Sequence, residues 1–136
     1  LARQAIYPQL ILLATQNATA KDIDHLCQID AELDQAIKIG DVTAYLRRNY
    51  RFHKTLYELS KAPILVSIAD GLWLRFGPSL RVVCGRVGTL NLTDQHKETL
   101  SAMRAGDAEK AARAIREDVI QGMEQVRHVM APVSLS

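Results

Sequence analysis

The run Gln95-His96-Lys97-Glu98-Thr99-Leu100-Ser101-Ala102-Met103-Arg104-Ala105-Gly106-Asp107-Ala108-Glu109-Lys110-Ala111-Ala112-Arg113-Ala114-Ile115-Arg116-Glu117-Asp118 holds two helices and the turn between them. Leu100 and Met103 lie on one side of Gly106-Asp107, and Ala111 and Ile115 on the other, at the spacing of helix faces. Glycine takes the left-handed conformation that ends a helix, and aspartate caps the exposed N–H groups of the next. The same pair recurs at Gly40-Asp41. Each pair predicts two helices folded back on one another as a tight antiparallel hairpin.

Working outward, the apolar period continues over almost the whole chain, and no stretch alternates as a half-buried strand would. A first helix is expected over Ala2 to Thr15, with Ile6, Leu10 and Leu13 on its stripe. Thr19, with Asp22 three positions later, resembles a capping box for a second helix, which runs to Ile39. A third spans Val42 to Ser60. Pro63 sits where a first-turn proline is tolerated and opens a fourth helix that continues to Cys84, kinked at Gly77-Pro78. Gly85 to Asn91 reads as the one sizeable loop. Thr93 or Asp94 caps the fifth helix, and the sixth runs from Ala108 to Met130, ended by Pro132. The expected fold class is all-α: an antiparallel bundle of about six helices with an interior ligand cavity.

Bulk properties narrow the class of function. The 136 residues suit one domain with one core, and 48% hydrophobic with 24% charged residues is globular composition. Net charge is +2, with basic and acidic residues interleaved, so no phosphate-binding block stands out. Cys27 and Cys84 form no metal or redox spacing and read as buried, reduced thiols of a cytoplasmic protein. No segment approaches the ~20 apolar residues of a membrane helix. The chain lacks an initiator methionine, and an upstream extension is expected.

The informative residues are polar groups on apolar faces. Asp118 shares a face with Ala111, Ile115 and Gly122; His96 with Leu92, Leu100 and Met103; His53 with Leu46, Asn49 and Leu56; Arg75 with Ile68, Leu72, Ser79 and Val82. Unpaired buried charge costs several kcal/mol, so such groups need partners, a metal or a wet cavity. His96 stands ten residues before Gly106 and Asp118 twelve after it. Both helices rise ~1.5 Å per residue, which sets the two side chains at nearly equal height across the hairpin. Two histidines, a carboxylate and an amide oxygen make a ligand set for a divalent transition metal. Either the four positions meet in one site, or each is satisfied separately in the core.

The chain also resembles the effector-binding FCD domain of GntR-type transcriptional regulators of the FadR subfamily, in its smaller, VanR-like branch. The resemblance runs from Ala2-Arg3 and Ile6-Tyr7-Pro8 through the last helix. It is carried by Asn49-Tyr50-Arg51-Phe52-His53 with Leu56 and Leu59-Ser60, and by Gln95 to Asp107 with Ala111. Metal-binding members use an Asp and three His, and the matching positions here are Asn49, His53, His96 and Asp118. Asn49 is neutral where the family has Asp, and Asp118 stands where it has His. The total of one carboxylate and two histidines is kept.

The resemblance implies a ligand-sensing and dimerisation domain over residues 1–136, with a winged-helix DNA-binding domain preceding it in the full protein. The expected effector is a small carboxylate, bound through Arg75, His53, His96, Asn49 and Tyr50, with zinc, nickel or manganese as the metal. Tyr57 and Trp73 are further candidate cavity walls. A homodimer is expected, with no membrane partner and no catalysis. The rivals are a metal-dependent hydrolase or oxygenase, since two His and a carboxylate also describe catalytic centres, and a structural dimerisation module whose pocket has decayed.

Overall fold

The computed structural model describes residues 2–72 and 94–130, with side-chain surroundings for 5–72, 94–118 and 120. Arg75, Trp73, Cys84, Leu92, Thr93, the Gly77-Pro78 kink and the Gly85–Asn91 loop lie outside the described residues. Among those described there are six helical segments and no strand: α1 (Ala2–Asn17), α2 (Ala20–Ile39), α3 (Val42–Glu58), α4 (63–72), α5 (Gln95–Arg104) and α6 (Ala108–Met130).

The expected punctuation is present in atomic detail. Thr19 and Asp22 form the reciprocal capping box, each side chain accepting the other's backbone N–H. Gly40 adopts φ 73° and Gly106 φ 71°, the left-handed conformation that costs a glycine little. The N–H groups of Gly40 and Asp41 return to the carbonyls of Ile37 and Ala36, the paired bonds of a Schellman stop. Asp41 then caps α3 through the N–H of Ala44. Asp94, rather than Thr93, caps α5 through the N–H of Lys97. Helix α3 stops at Glu58, two residues before the expected Ser60. The chain continues in tighter turns that return the N–H groups of Leu59, Ser60 and Lys61 to the carbonyls of Leu56, Tyr57 and Glu58, and Lys61 takes φ 56° before α4.

The two hairpins form as expected: α2 lies on α3, and α5 on α6. Helix α1 makes its most extensive contact with α6 and also touches α3, while α2 packs on α5. The small buried face Ala111, Ala112 and Ala114 on α6 lets a neighbouring helix approach closely. Tyr7, Leu10 and Ile11 from α1, Leu26 and Ile29 from α2, and Phe52 and Leu56 from α3 close one core with Leu100, Met103 and Ile115. Hydrocarbon packing alone accounts for that centre, at ~1.5–3 kcal/mol for each large side chain fully buried. Tyr7 ties α1 to α4 by donating to the carbonyl of Ala69, and its ring packs on Tyr57 with centroids 4.9 Å apart. Cys27 departs from expectation. It is only half-buried, because it faces the α2–α5 groove beside Arg104.

Candidate metal and effector site

Three side chains from three helices converge just beside this core. His53 is brought in by α3, His96 by α5 and Asp118 by α6. The Nε2 atoms of the two imidazoles are 3.1 Å apart; Asp118 Oδ2 lies 3.2 Å from that of His53 and 3.5 Å from that of His96. Zinc binds nitrogen and oxygen at ~2.0–2.2 Å, so two ligands of one ion sit roughly 3.4 Å apart in a tetrahedron and roughly 3.0 Å apart in an octahedron. The observed triangle has the edges of one face of such a polyhedron. Both histidines are buried, and the Asp118 side chain is largely so, at 27% exposure.

Each imidazole is oriented from behind. His53 Nδ1 is 2.9 Å from the Tyr57 hydroxyl, one turn further along α3. His96 Nδ1 is 3.1 Å from Asp30 Oδ1, and its ring stacks on Phe52 at 4.1 Å and 10°. Both rings thus turn Nε2 toward the same point. Asn49 precedes His53 by one helical turn and is buried, and its Oδ1 has no hydrogen-bond partner. An amide oxygen buried without a donor loses its hydration uncompensated, unless a cation or a ligand donor meets it. The donor set and this orphaned oxygen fit a divalent transition metal.

The electrostatics match a site that holds either a proton or a cation. Burial by itself would lower the His96 pKa. The Asp118 charge, with hydrogen bonds to Asp118 and Asp30, outweighs it and raises the value to about 10. Asp118 is pressed the opposite way: burial opposes its charge, but His96 and His53 hold its carboxyl far below the ordinary carboxylate range. Asp30 is likewise lowered, burial being outweighed by His96 and Lys97.

Asp30 escaped the sequence reading, although its signal was there. It falls four after Leu26 and three before Leu33, on the buried stripe of α2. Lys97 is the other addition. Its Nζ reaches Asp30, Asp34 and Asp94 at 2.8, 2.6 and 2.8 Å, so this second acidic group already encloses a cation of the chain's own. Tyr50, expected at the effector, lies with His53, Lys54 and Tyr57 around a recess between α3 and α4. Its hydroxyl donates to Asp70, which with burial pushes its pKa up to about 12, and Lys54 pairs with the same carboxylate at 3.5 Å.

Comparison with known proteins gives the class. The FCD domain family matches residues 1–121, and the chain belongs to that family, as the motifs around Phe52-His53 and Gly106-Asp107 implied. It is similar to the HTH-type transcriptional regulator McbR of Escherichia coli (strain K12), with 29% identity over 117 residues, 83% of this chain and 52% of the relative. The solved structure of E. coli McbR/YncC matches with TM-score 0.83 at 26% identity, over 93% of this chain and 64% of that one. The chain spans about half the length of this curated relative. No helix among the described residues is long and apolar enough to cross a membrane.

Proposed function

We propose that this chain is the ligand-sensing part of a transcription regulator, and that it binds a small carboxylate beside a divalent metal held by His53, His96 and Asp118, with Asn49 as a fourth donor. The observation that carries the reading is the triangle of Nε2, Nε2 and Oδ2 with edges of 3.1–3.5 Å. Zinc, nickel and manganese all accept such mixed nitrogen and oxygen donors. A metal there would supply a Lewis-acidic docking point for one carboxylate oxygen. Tyr50, Tyr57 and Lys54 line the adjoining recess, and Arg75, outside the described residues, is the proposed partner for the second oxygen. Occupancy would bias the arrangement of two subunits and so the fit of an attached winged-helix domain to DNA, as far as the effector's affinity differs between arrangements.

The reading is one of binding without turnover. Within the described site each imidazole Nδ1 is engaged, that of His53 by the Tyr57 phenol and that of His96 by Asp30, contacts that orient the rings. The test is metal analysis of the purified chain, calorimetric titration with Zn(II), Ni(II) and Mn(II), and a thermal-shift screen of small carboxylic acids with and without metal. Micromolar or tighter metal binding, with acids that stabilise only the metal-loaded form, is expected. No metal bound below about 1 mM and no stabilising acid would leave a structural helical module instead.

A further inference from the structure

Outside the triangle, the most organised polar group is the chain Lys97–Asp30–His96. Asp30 is buried to 3% exposure and divides its two oxygens, Oδ1 to His96 Nδ1 and Oδ2 to Lys97 Nζ. An ammonium has three donors, and Lys97 directs all three at carboxylates: Asp30, Asp34 and Asp94. Asp34 and Asp94 are about two-fifths exposed and touch neither histidine, so their effect on the site passes through Lys97. Phe52 fixes the plane of the His96 ring, and Asp30 fixes its rotation within that plane.

We infer that Asp30 is a positioning residue for His96, and that Lys97 anchors Asp30 so that helix α2, which contributes no ligand, controls how well the site holds a metal. This inference rests on the metal reading above. A carboxylate that accepts from one imidazole nitrogen keeps the proton there and leaves the opposite nitrogen's lone pair for the metal. It also makes that nitrogen a stronger donor. The anchor lies in the groove between α2 and α5, lined by Cys27, Asp30, Asp34, Lys97 and Arg104. The outer shell of the site is thus reached from a face other than the effector's.

The experiment is calorimetric titration of the 136-residue chain with Zn(II), comparing wild type with D30N, D30A, K97M and D34N. Losing an outer-shell partner typically lowers metal affinity 10–100-fold. D30A is expected near the larger loss. D30N, which keeps shape and an acceptor but no charge, is expected near the smaller, with K97M between D30N and wild type. D34N should stay within about twofold, because its carboxylate is one of three on the ammonium and does not reach His96. A folded D30A that binds Zn(II) as wild type does would overturn the assignment.

A second readout needs no metal. The His96 Nδ1 proton, held by Asp30, is expected as a slowly exchanging signal in proton–nitrogen spectra of the wild type. It should persist weakened in K97M and in D30N, which keeps an acceptor, and vanish in D30A. Absence from the wild type, or persistence in D30A, overturns the positioning role. Failure of the wild type to bind Zn(II), with that signal present and Asp30-dependent, overturns only the metal reading.

Discussion

In the turn after α2, Gly40 takes φ 73° and Asp41 caps the next helix through Ala44; in the turn after α5, Gly106 takes φ 71° and Asp107 caps through Lys110. The returning bonds match as well, Asp41 to Ala36 at 2.9 Å and Asp107 to Ala102 at 2.9 Å. The two frames are nearly superimposable in kind, and each delivers one imidazole and one carboxylate to the site: Asp30 and His53 from the first hairpin, His96 and Asp118 from the second. The shortest imidazole–carboxylate contacts cross between hairpins, Asp30 with His96 and Asp118 with His53. The difference lies behind the rings. His53 leans on a neutral phenol of its own helix, while His96 leans on a buried carboxylate of the other hairpin. Turn chemistry makes the scaffold, and the partner behind each ring makes the two histidines chemically unlike.

The largest expected effect tests that inequality. His96→Ala takes the imidazole from Asp30, leaving it Lys97 alone, and leaves Asp118 with His53 only; removing one partner of a buried charged pair costs about 3–5 kcal/mol. His53→Ala deprives a neutral hydroxyl and one side of Asp118, and should cost about 1–3 kcal/mol. Urea unfolding with a chelator present measures both, and equal losses would erase the distinction.

The pH dependence follows from the same asymmetry. Without metal, His96 is raised to about 10 from an ordinary 6.5, so its stabilisation is complete below 6.5 and disappears as pH climbs through 10. Asp118 is lowered from 3.8, so its contribution is present above 3.8 and is lost only in stronger acid. The urea midpoint should therefore be higher at about pH 5.5 than at about pH 9.5, and His96→Gln should flatten the difference. Zinc should reverse the trend: its ligands must shed protons, so the zinc-induced rise in Tm should grow with pH between about 5 and 8. A zinc effect independent of pH would place the ion elsewhere.

The smallest expected effects sharpen the likeness of the frames. Gly40→Ala and Gly106→Ala meet no neighbouring atom within 4 Å, so each should cost only the left-handed backbone penalty, about 1–2 kcal/mol. Thermal melts of the two variants should agree within about 0.5 kcal/mol. A much larger loss at one turn would mean that the hairpins are braced unequally.

Much of this was legible because it is local. Helix stops at Gly40 and Gly106, the Thr19–Asp22 box and the faces of His53, His96 and Asp118 all follow from spacing within one element. Asp30 was not singled out because α2 also carries Asp22, Asp24, Glu32 and Asp34, and only the packing of α2 on α5 shows which of these acids meets His96. The half-exposure of Cys27 has the same origin, since it depends on where α5 leaves a groove uncovered. The orphaned oxygen of Asn49 is a property of three-dimensional surroundings, and no spacing rule reports it.

Phe52 and His53 are neighbours in sequence, yet one backs His96 while the other faces it. Successive side chains on a helix diverge by roughly 100°. A turn of α3 about its own axis that withdrew His53 would therefore also strip Phe52 from the opposite ring. The two imidazoles thus share one mount on α3, so a rotation of that helix would disturb His96 through Phe52 as well as through His53.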